Sequence, residues 1–175
     1  MIDFSKLRSL AKLVSRLEKN MKSATMTILA QDHAKEVTQY LQEGLTEDDP
    51  NVSLTIQTSS GEYANHLAVL TVGNNKYTFA KDYQEPYIAE MNYYSSRITA
   101  DANGVLVHHR DYPGVVYDVS RILAGHQINI SKLNVSREQK GENALLVSLT
   151  DEEITPEVLE KIQQLPQVTQ VISLR

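Results

Sequence analysis

A short polar segment after an apolar run carries the residues best suited to chemistry. The segment is HHRDYPGVV, residues 108–116. Pro113 is expected at the first position of a helix, where its missing N–H costs nothing. Gly114 has no Cβ, so another group can approach the backbone closely. The N–H groups of Val115 and Val116 would then be unpaired beside a positive dipole end, which suits a carboxylate or a phosphate. An ordinary strand-to-helix turn fits the same local pattern.

The elements around this segment follow a regular order. Apolar spacing predicts a helix from Pro113 to Gly125, where glycine is a natural C-terminal stop. Two strands over 128–138 and 144–150 follow, and a polar hairpin connection joins them. Thr155 opens a second helix, and residues 168–174 form a closing strand. With the strand that precedes the segment, the order is βαββαβ, which predicts the ferredoxin-like unit.

The C-terminal part of the sequence resembles the ACT domain family of amino-acid-sensing modules. The matching stretches are RDYPGVV, ILAGHQINI and LPQV, at residues 110–116, 122–130 and 165–168. The resemblance implies an ACT domain over residues 102–175, with an amino acid bound at the interface of two such modules. Carried over by position, the residues that it implies for ligand binding are His109, Asp111, Pro113, Gly114, Val115, Val116 and, from the partner chain, Asn129.

The implied contacts have a physical basis in the residue types. Backbone N–H groups at the helix start can donate to the carboxylate of an amino acid. Asp111 can accept from its ammonium group, and Asn129 offers both a donor and an acceptor. The competing interpretation is that Asp111 only caps the helix and that Asn129 only ends a turn.

Residues 1–101 are predicted to form a separate domain, so that the chain is α+β, with a mixed α/β regulatory-type domain before the ferredoxin-like one. An amphipathic helix over 3–20 is expected to face a core or a partner rather than a membrane. Asp32 is expected to cap a helix that ends near Gly44. The strand over 52–58 alternates strictly, which predicts that it is half-buried. The other predicted elements are strands over 24–29, 66–72, 76–79, 87–91 and 94–98 and a turn over 59–62.

The order of motifs in both parts resembles a known regulatory tandem. The stretches in the N-terminal part are KSATMT, AKE, EPYI and RI, at residues 22–27, 34–36, 85–88 and 97–98. They are similar to the substrate-binding regulatory domain that precedes the ACT domain of long-form D-3-phosphoglycerate dehydrogenases. The β component of bacterial iron–sulfur L-serine dehydratase has a related tandem. This sequence is shorter than the usual intervening domain, has no strand-linked Gly-x-Gly-x-x-Gly, and lacks a Ser-Ser-Ser-His-Thr run.

Catalytic and metal chemistry find little support in the sequence. No nucleophile–base arrangement is evident, so no catalytic residue is assigned and no cofactor is expected. His108 and His109 point to opposite faces of a strand and cannot easily share one metal ion, so no metal site is expected. The chain has no cysteine, which excludes disulfides and cysteine-ligated iron–sulfur clusters within it.

Charge and hydropathy limit the classes of partner. The net charge of −5 argues against a nucleic-acid surface, because such surfaces are strongly basic. No apolar run reaches about 18 residues, so no membrane span is expected. Asp3, Lys6 and Arg8 interrupt the N-terminus, which does not resemble a signal peptide. We therefore expect a cytoplasmic protein.

The two resemblances imply a non-catalytic, homodimeric or larger regulatory module that binds a small amino acid. L-serine is the expected ligand because both related enzymes handle serine. One alternative is the β component of an iron–sulfur L-serine dehydratase, which would be active only with a catalytic partner chain. A second alternative is an ACT-like dimerisation scaffold that binds no ligand.

Overall fold

The computed structural model describes residues 1–61 and 64–175. The chain divides into two compact units, Met1–Ala100 and Asp101–Arg175. Glu62, the last residue of the turn predicted over 59–62, lies outside the described residues. In the part of the chain that is described, no helix is long and apolar enough to cross a membrane.

The N-terminal unit is built on a mixed sheet. Its strands run in the order β2-β1-β3-β4-β5-β6. β1 and β2 are parallel and lie on either side of α2 in the sequence, whereas the other neighbours are antiparallel. The elements are α1 (Lys6–Leu17), β1 (Ser23–Ile28), α2 (Ala34–Thr46), β2 (Ser53–Thr58), β3 (His66–Val72), β4 (Asn75–Lys81), β5 (Pro86–Met91) and β6 (Tyr94–Thr99).

Helix α2 differs from the prediction at both ends. It begins after His33 rather than under an Asp32 cap, and it continues past Gly44 to Thr46. Gly44 lies inside the helix because α1 packs against it. A Cβ at this position would lie 2.8 Å from the Cβ of Ala11 and closer still to a backbone oxygen of α1. The glycine therefore marks a helix contact, and the predicted stop was wrong.

Strand β2 is more exposed than its alternating sequence predicted. Five of its six residues are exposed, and the side chain of Ile56 is 40% exposed. The reason is its place at the edge of the sheet, where only β1 pairs with it. The expectation of a half-buried strand was wrong because alternation alone does not reveal which faces of a strand are covered.

The C-terminal unit has the predicted βαββαβ order. Its strands form one antiparallel sheet in the order β10-β7-β9-β8, with β8 and β10 at the edges. This arrangement confirms the α+β class and the ferredoxin-like unit. The elements are β7 (Asn103–Arg110), α3 (Val115–Gly125), β8 (Ile130–Arg137), β9 (Asn143–Thr150), α4 (Pro156–Gln163) and β10 (Val168–Ser173).

Both helices of this unit contribute to one apolar core with the sheet. β7 and β9 supply the central strand residues of that core, because alternate side chains of a strand share a face. Thr155 precedes helix α4 as its N-cap, in agreement with the prediction, and its hydroxyl accepts a hydrogen bond from Val158 N at 3.4 Å. The fully or largely buried members of the core are Val105, Val107, Val115, Val119, Leu123, Ile128, Leu146, Ile154, Val158, Ile162 and Val168.

Candidate functional site

The predicted site occupies the loop between β7 and α3. Helix α3 begins at Val115, two residues later than predicted, and Gly114 is its N-cap. Pro113 therefore precedes the cap and does not occupy the first helical position. Gly114 has a φ of 99°, in the left-handed region that favours glycine. The predicted glycine-bearing helix start is present, but its register is shifted.

The N-terminus of α3 is open at the backbone. Asp118 N donates to Gly114 O at 2.9 Å, so the N–H groups of the three residues before Asp118 have no partner within the helix. No side chain among the described residues caps this end. A Cβ built on Gly114 would meet nothing within 4 Å. Val116 is 40% exposed, whereas Val115 is buried in the core. The space above the helix start is thus free for a small anionic group.

Asp111 is bound to the hairpin that joins β8 and β9. Its Oδ2 accepts from Arg137 Nη1 at 2.7 Å and from Gly141 N at 3.1 Å. Its own N–H donates to Glu142 O at 2.7 Å. The hydrogen bond from Arg137 is the main reason that the pKa of Asp111 is lowered, and the bond from Gly141 adds to it. Asp111 therefore does not act as the helix cap that the competing interpretation required.

His109 lies under the loop and is 1% exposed. Its Nδ1 is 2.8 Å from Arg110 O, which requires the proton on that nitrogen and leaves Nε2 as an acceptor. Nε2 is buried and has no hydrogen-bond partner among the described residues. The ring of Tyr112 meets the His109 ring edge-on, with 6.2 Å between centroids. His109 thus offers an unused acceptor, although its depth means that a ligand would have to enter the loop to reach it.

Asn129 lies at the opposite end of β8 from Arg137. Its Nδ2 donates to Asp151 Oδ2 at 2.6 Å, and its backbone N donates to Glu152 Oε2 at 2.8 Å. A strand of eight residues separates the two ends, a length of roughly 25 Å. Within one chain, therefore, Asn129 cannot contact a ligand that also contacts Asp111.

The structure brings together six of the seven predicted site residues, and Asn129 is the exception. Sequence reasoning missed Arg137 and Gly141, which fix the Asp111 carboxylate. A hairpin connection was predicted between β8 and β9, but nothing local to it indicated contact with a residue 26 positions earlier. No group of three or more metal-ligating side chains occurs in the described part of the chain.

The N-terminal unit contains a separate cavity of about 470 Å³. Apolar side chains form part of its wall, and both a carboxylate and an ammonium group line it. The described lining residues are Phe4, Leu29, Ala30, Gln31, Asp32, Ala64, His66, Leu67 and Lys81. No motif in the sequence of this unit predicts a ligand site.

Comparison with known proteins identifies the C-terminal unit. Residues 104–167 match the family model of the ACT domain. The probable L-serine dehydratase β chain of Bacillus subtilis (strain 168) is 28% identical over 126 residues, which cover 71% of this chain and 52% of that protein. D-3-phosphoglycerate dehydrogenase of the same organism is 26% identical over 120 residues, which cover 66% of this chain and 23% of that protein.

A solved structure is similar over a smaller part of the chain. The ACT domain from GTP pyrophosphokinase of Chlorobium tepidum has 13% sequence identity and a TM-score of 0.33, with 41% of this chain and 83% of that chain covered. The chain spans about half the length of the first relative and about a quarter of the second. Residues 104–167 of the C-terminal unit thus match the ACT domain family, and the chain is similar to the L-serine dehydratase β chain and to D-3-phosphoglycerate dehydrogenase.

Proposed function

We propose that this chain is a non-catalytic regulatory module that binds L-serine between two copies of its ACT domain. The observation that carries the proposal is the uncapped start of α3 beside the ionised Asp111. An amino acid is a zwitterion, and each of its charged ends needs a partner when it leaves water. The N–H groups at the helix start suit the carboxylate, and Asp111 suits the ammonium group.

The choice of L-serine is supported by the relatives. One is named as an L-serine dehydratase chain and the other as D-3-phosphoglycerate dehydrogenase. On the same basis, we propose that residues 1–101 correspond to a shortened substrate-binding regulatory domain, and that 102–175 is the ligand-sensing part. The regulated enzyme would be a catalytic partner chain or a further part of the same polypeptide.

The position of Asn129 supports a dimeric site. β8 is an edge strand of its sheet, and such an edge can pair with another strand. If two β8 strands pair antiparallel about a two-fold axis, the start of one strand lies beside the end of the other. Asn129 of the partner subunit would then lie beside Arg137 and Asp111, where it could complete the ligand site.

The ligand is tested by calorimetry on the purified full chain. The parent should bind L-serine in preference to the other common amino acids. Asp111→Ala and Asn129→Ala should each weaken binding by about one to two decades, because each leaves one polar end of the ligand without a partner. Asn103→Ala is a matched control, since Asn103 bonds the backbone oxygen of Asp151 but lies outside the proposed site. A parent chain that binds no amino acid at millimolar concentration would leave the scaffold interpretation in its place.

The dimer is tested by light scattering at micromolar protein concentration. The chain should have the mass of a dimer or a larger oligomer, because the proposed site needs a residue from a second copy. A monomer in both the absence and presence of L-serine would contradict the proposal.

A second candidate is the β component of an L-serine dehydratase. The similarity over 71% of this chain to the Bacillus subtilis β chain favours it. Co-expression with a partner that carries at least three spaced cysteines would separate the two functions. Serine deamination that requires both chains would favour the dehydratase component, whereas serine binding without any turnover would favour the regulatory module.

A further inference from the structure

Asp111 is held by one of its two carboxylate oxygens. Both Arg137 Nη1 and Gly141 N bond to Oδ2, at 2.7 Å and 3.1 Å. Oδ1 makes no hydrogen bond to any residue that the structure describes. The Asp111 side chain is 20% exposed, so the carboxylate is largely enclosed but still reachable. Two donors on the same oxygen fix the plane of the carboxylate and leave the other oxygen unused.

Arg137 itself is placed at the surface. Its side chain is 52% exposed. An ion pair of this exposure adds little to the stability of a fold, because water and salt screen it and two side chains lose freedom. The contact between Arg137 and Asp111 therefore stabilises the fold only slightly. Its observed geometry is sufficient, however, to fix the orientation of the Asp111 carboxylate.

We propose that Arg137 is a positioning residue for the ligand site, which holds Asp111 so that its free oxygen receives the ammonium group of the bound amino acid. This inference rests on the proposed function. Arg137 acts through Asp111 and does not itself touch the ligand. Gly141 also holds Asp111, through its backbone N–H. Only a change in the backbone of the hairpin could remove that hydrogen bond.

The affinity of this site for an ammonium group depends on the ionisation of Asp111. Arg137 favours the ionised form of Asp111. The ionisable side chains that face this carboxylate in the described part of the chain are Arg137 from β8 and His109 from β7. An ammonium group binds the ionised form, so affinity falls as the pH falls through the pKa of Asp111. Removing Arg137 raises that pKa, because its hydrogen bond is the largest cause of the lowering. The acid limit of binding should then move to higher pH.

The test compares three variants of the full chain by calorimetry with L-serine. Arg137→Gln removes the charge and the fork of donors, and it should weaken binding about tenfold, the equivalent of one hydrogen bond. Arg137→Lys keeps a donor and a charge and should recover most of the affinity. Lys140→Gln removes a charge from the same hairpin without touching Asp111 in the described structure, and it should bind like the parent.

Two further readouts separate positioning from general damage. The pH below which serine binding is lost should rise in Arg137→Gln but not in Lys140→Gln. In the ligand-free protein, carboxyl NMR titration should show the pKa of Asp111 rising in Arg137→Gln. If that pKa rises while serine affinity stays at the parental value, the contact exists but positions nothing, and the inference is overturned.

The opposite result is equally informative. If Arg137→Gln binds L-serine more tightly than the parent, Arg137 competes with the ammonium group for Asp111, and the positioning role is wrong. A parent chain that gives no binding heat with any amino acid overturns the proposed function and this inference together. Because the parent chain is measured first, this failure of the proposed function is distinguished from a failure of the Arg137 inference alone.

Discussion

Two strand-to-helix connections of this chain have the same left-handed backbone conformation at the helix N-cap, but with different residues. In the N-terminal unit, His33 is the N-cap of α2 and has a φ of 64°. In the C-terminal unit, Gly114 is the N-cap of α3 and has a φ of 99°. Both residues are in the left-handed region, and neither helix start has a capping side chain among the described residues.

The two caps differ in what lies above the helix start. The His33 ring packs against Phe4, with 5.0 Å between centroids, and its Nδ1 lies 3.4 Å from Glu36 Oε1. A side chain with this backbone conformation is strained, by on the order of 1–3 kcal/mol. Gly114 avoids the strain and leaves the space open. One turn therefore carries a side chain that packs against its surroundings, whereas the other leaves the space beside its backbone open.

The largest expected effect comes from filling the open turn. Gly114→Val should weaken L-serine binding by more than about a hundredfold, because the branched side chain takes the space that the carboxylate needs. It should also lower the free energy of unfolding by about 1–3 kcal/mol, since valine is strained at a φ of 99°. Calorimetry and thermal unfolding measure the two effects.

Gly125→Val is the control for that change. A Cβ on Gly125 also meets nothing within 4 Å, and its φ is not in the left-handed region. This variant should keep both the fold and serine binding. Equal loss of binding in the two variants would mean that the open space over α3 has no special role.

The next largest effect is expected at Thr155, the N-cap of α4, whose side chain bonds to the helix. This cap is a reference for the His33 and Gly114 turns, which have no such bond in the part of the chain that the structure describes. Thr155→Ala should destabilise the fold by about 1 kcal/mol, because the hydroxyl that accepts from Val158 N is lost. Ser5→Ala is the comparison, since Ser5 precedes α1 without a side-chain bond to the helix. Chemical denaturation measures both, and equal effects would show that the Thr155 cap contributes no more than the exposed hydrogen bond from the Ser5 hydroxyl to Asp3.

The smallest expected effect is a gain in stability at the filled turn. His33→Gly should raise the free energy of unfolding by about 0.5 kcal/mol, because the relief of strain exceeds the sum of the lost Phe4 contact and the added freedom of the unfolded chain. His33→Ala should lower it, since the strain stays and the contact with Phe4 is lost. If both variants are less stable than the parent, ring packing at His33 outweighs its backbone strain.

Local signals in the sequence were sufficient to predict the helices and strands of the C-terminal unit. Apolar periodicity predicted each of its elements, and the loop that carries Asp111 and Gly114 is a single continuous segment. The start of α3 was misplaced by two residues because proline favours the first helical position, whereas the left-handed Gly114 is the cap and the helix begins at Val115. The resemblance to ACT domains supplied the site residues of that loop.

Contacts between distant residues explain what the sequence did not reveal. Gly44 has the local character of a helix stop, and only the approach of α1 explains why the helix continues. β2 alternates like a half-buried strand, but its exposure depends on what covers the sheet. Arg137 bonds Asp111 because the end of β8 and the end of β7 lie at the same end of one sheet. Such pairings depend on topology, which local pattern does not encode.

The separation of Asn129 from Asp111 along β8 has a consequence for how binding responds to protein concentration. A site shared by two copies exists only in the assembled form, so ligand binding and association are linked by mass action. The apparent affinity for L-serine should fall when the protein is diluted below the dissociation constant of the pair. Conversely, saturating ligand should hold the pair together at dilutions where the free protein separates.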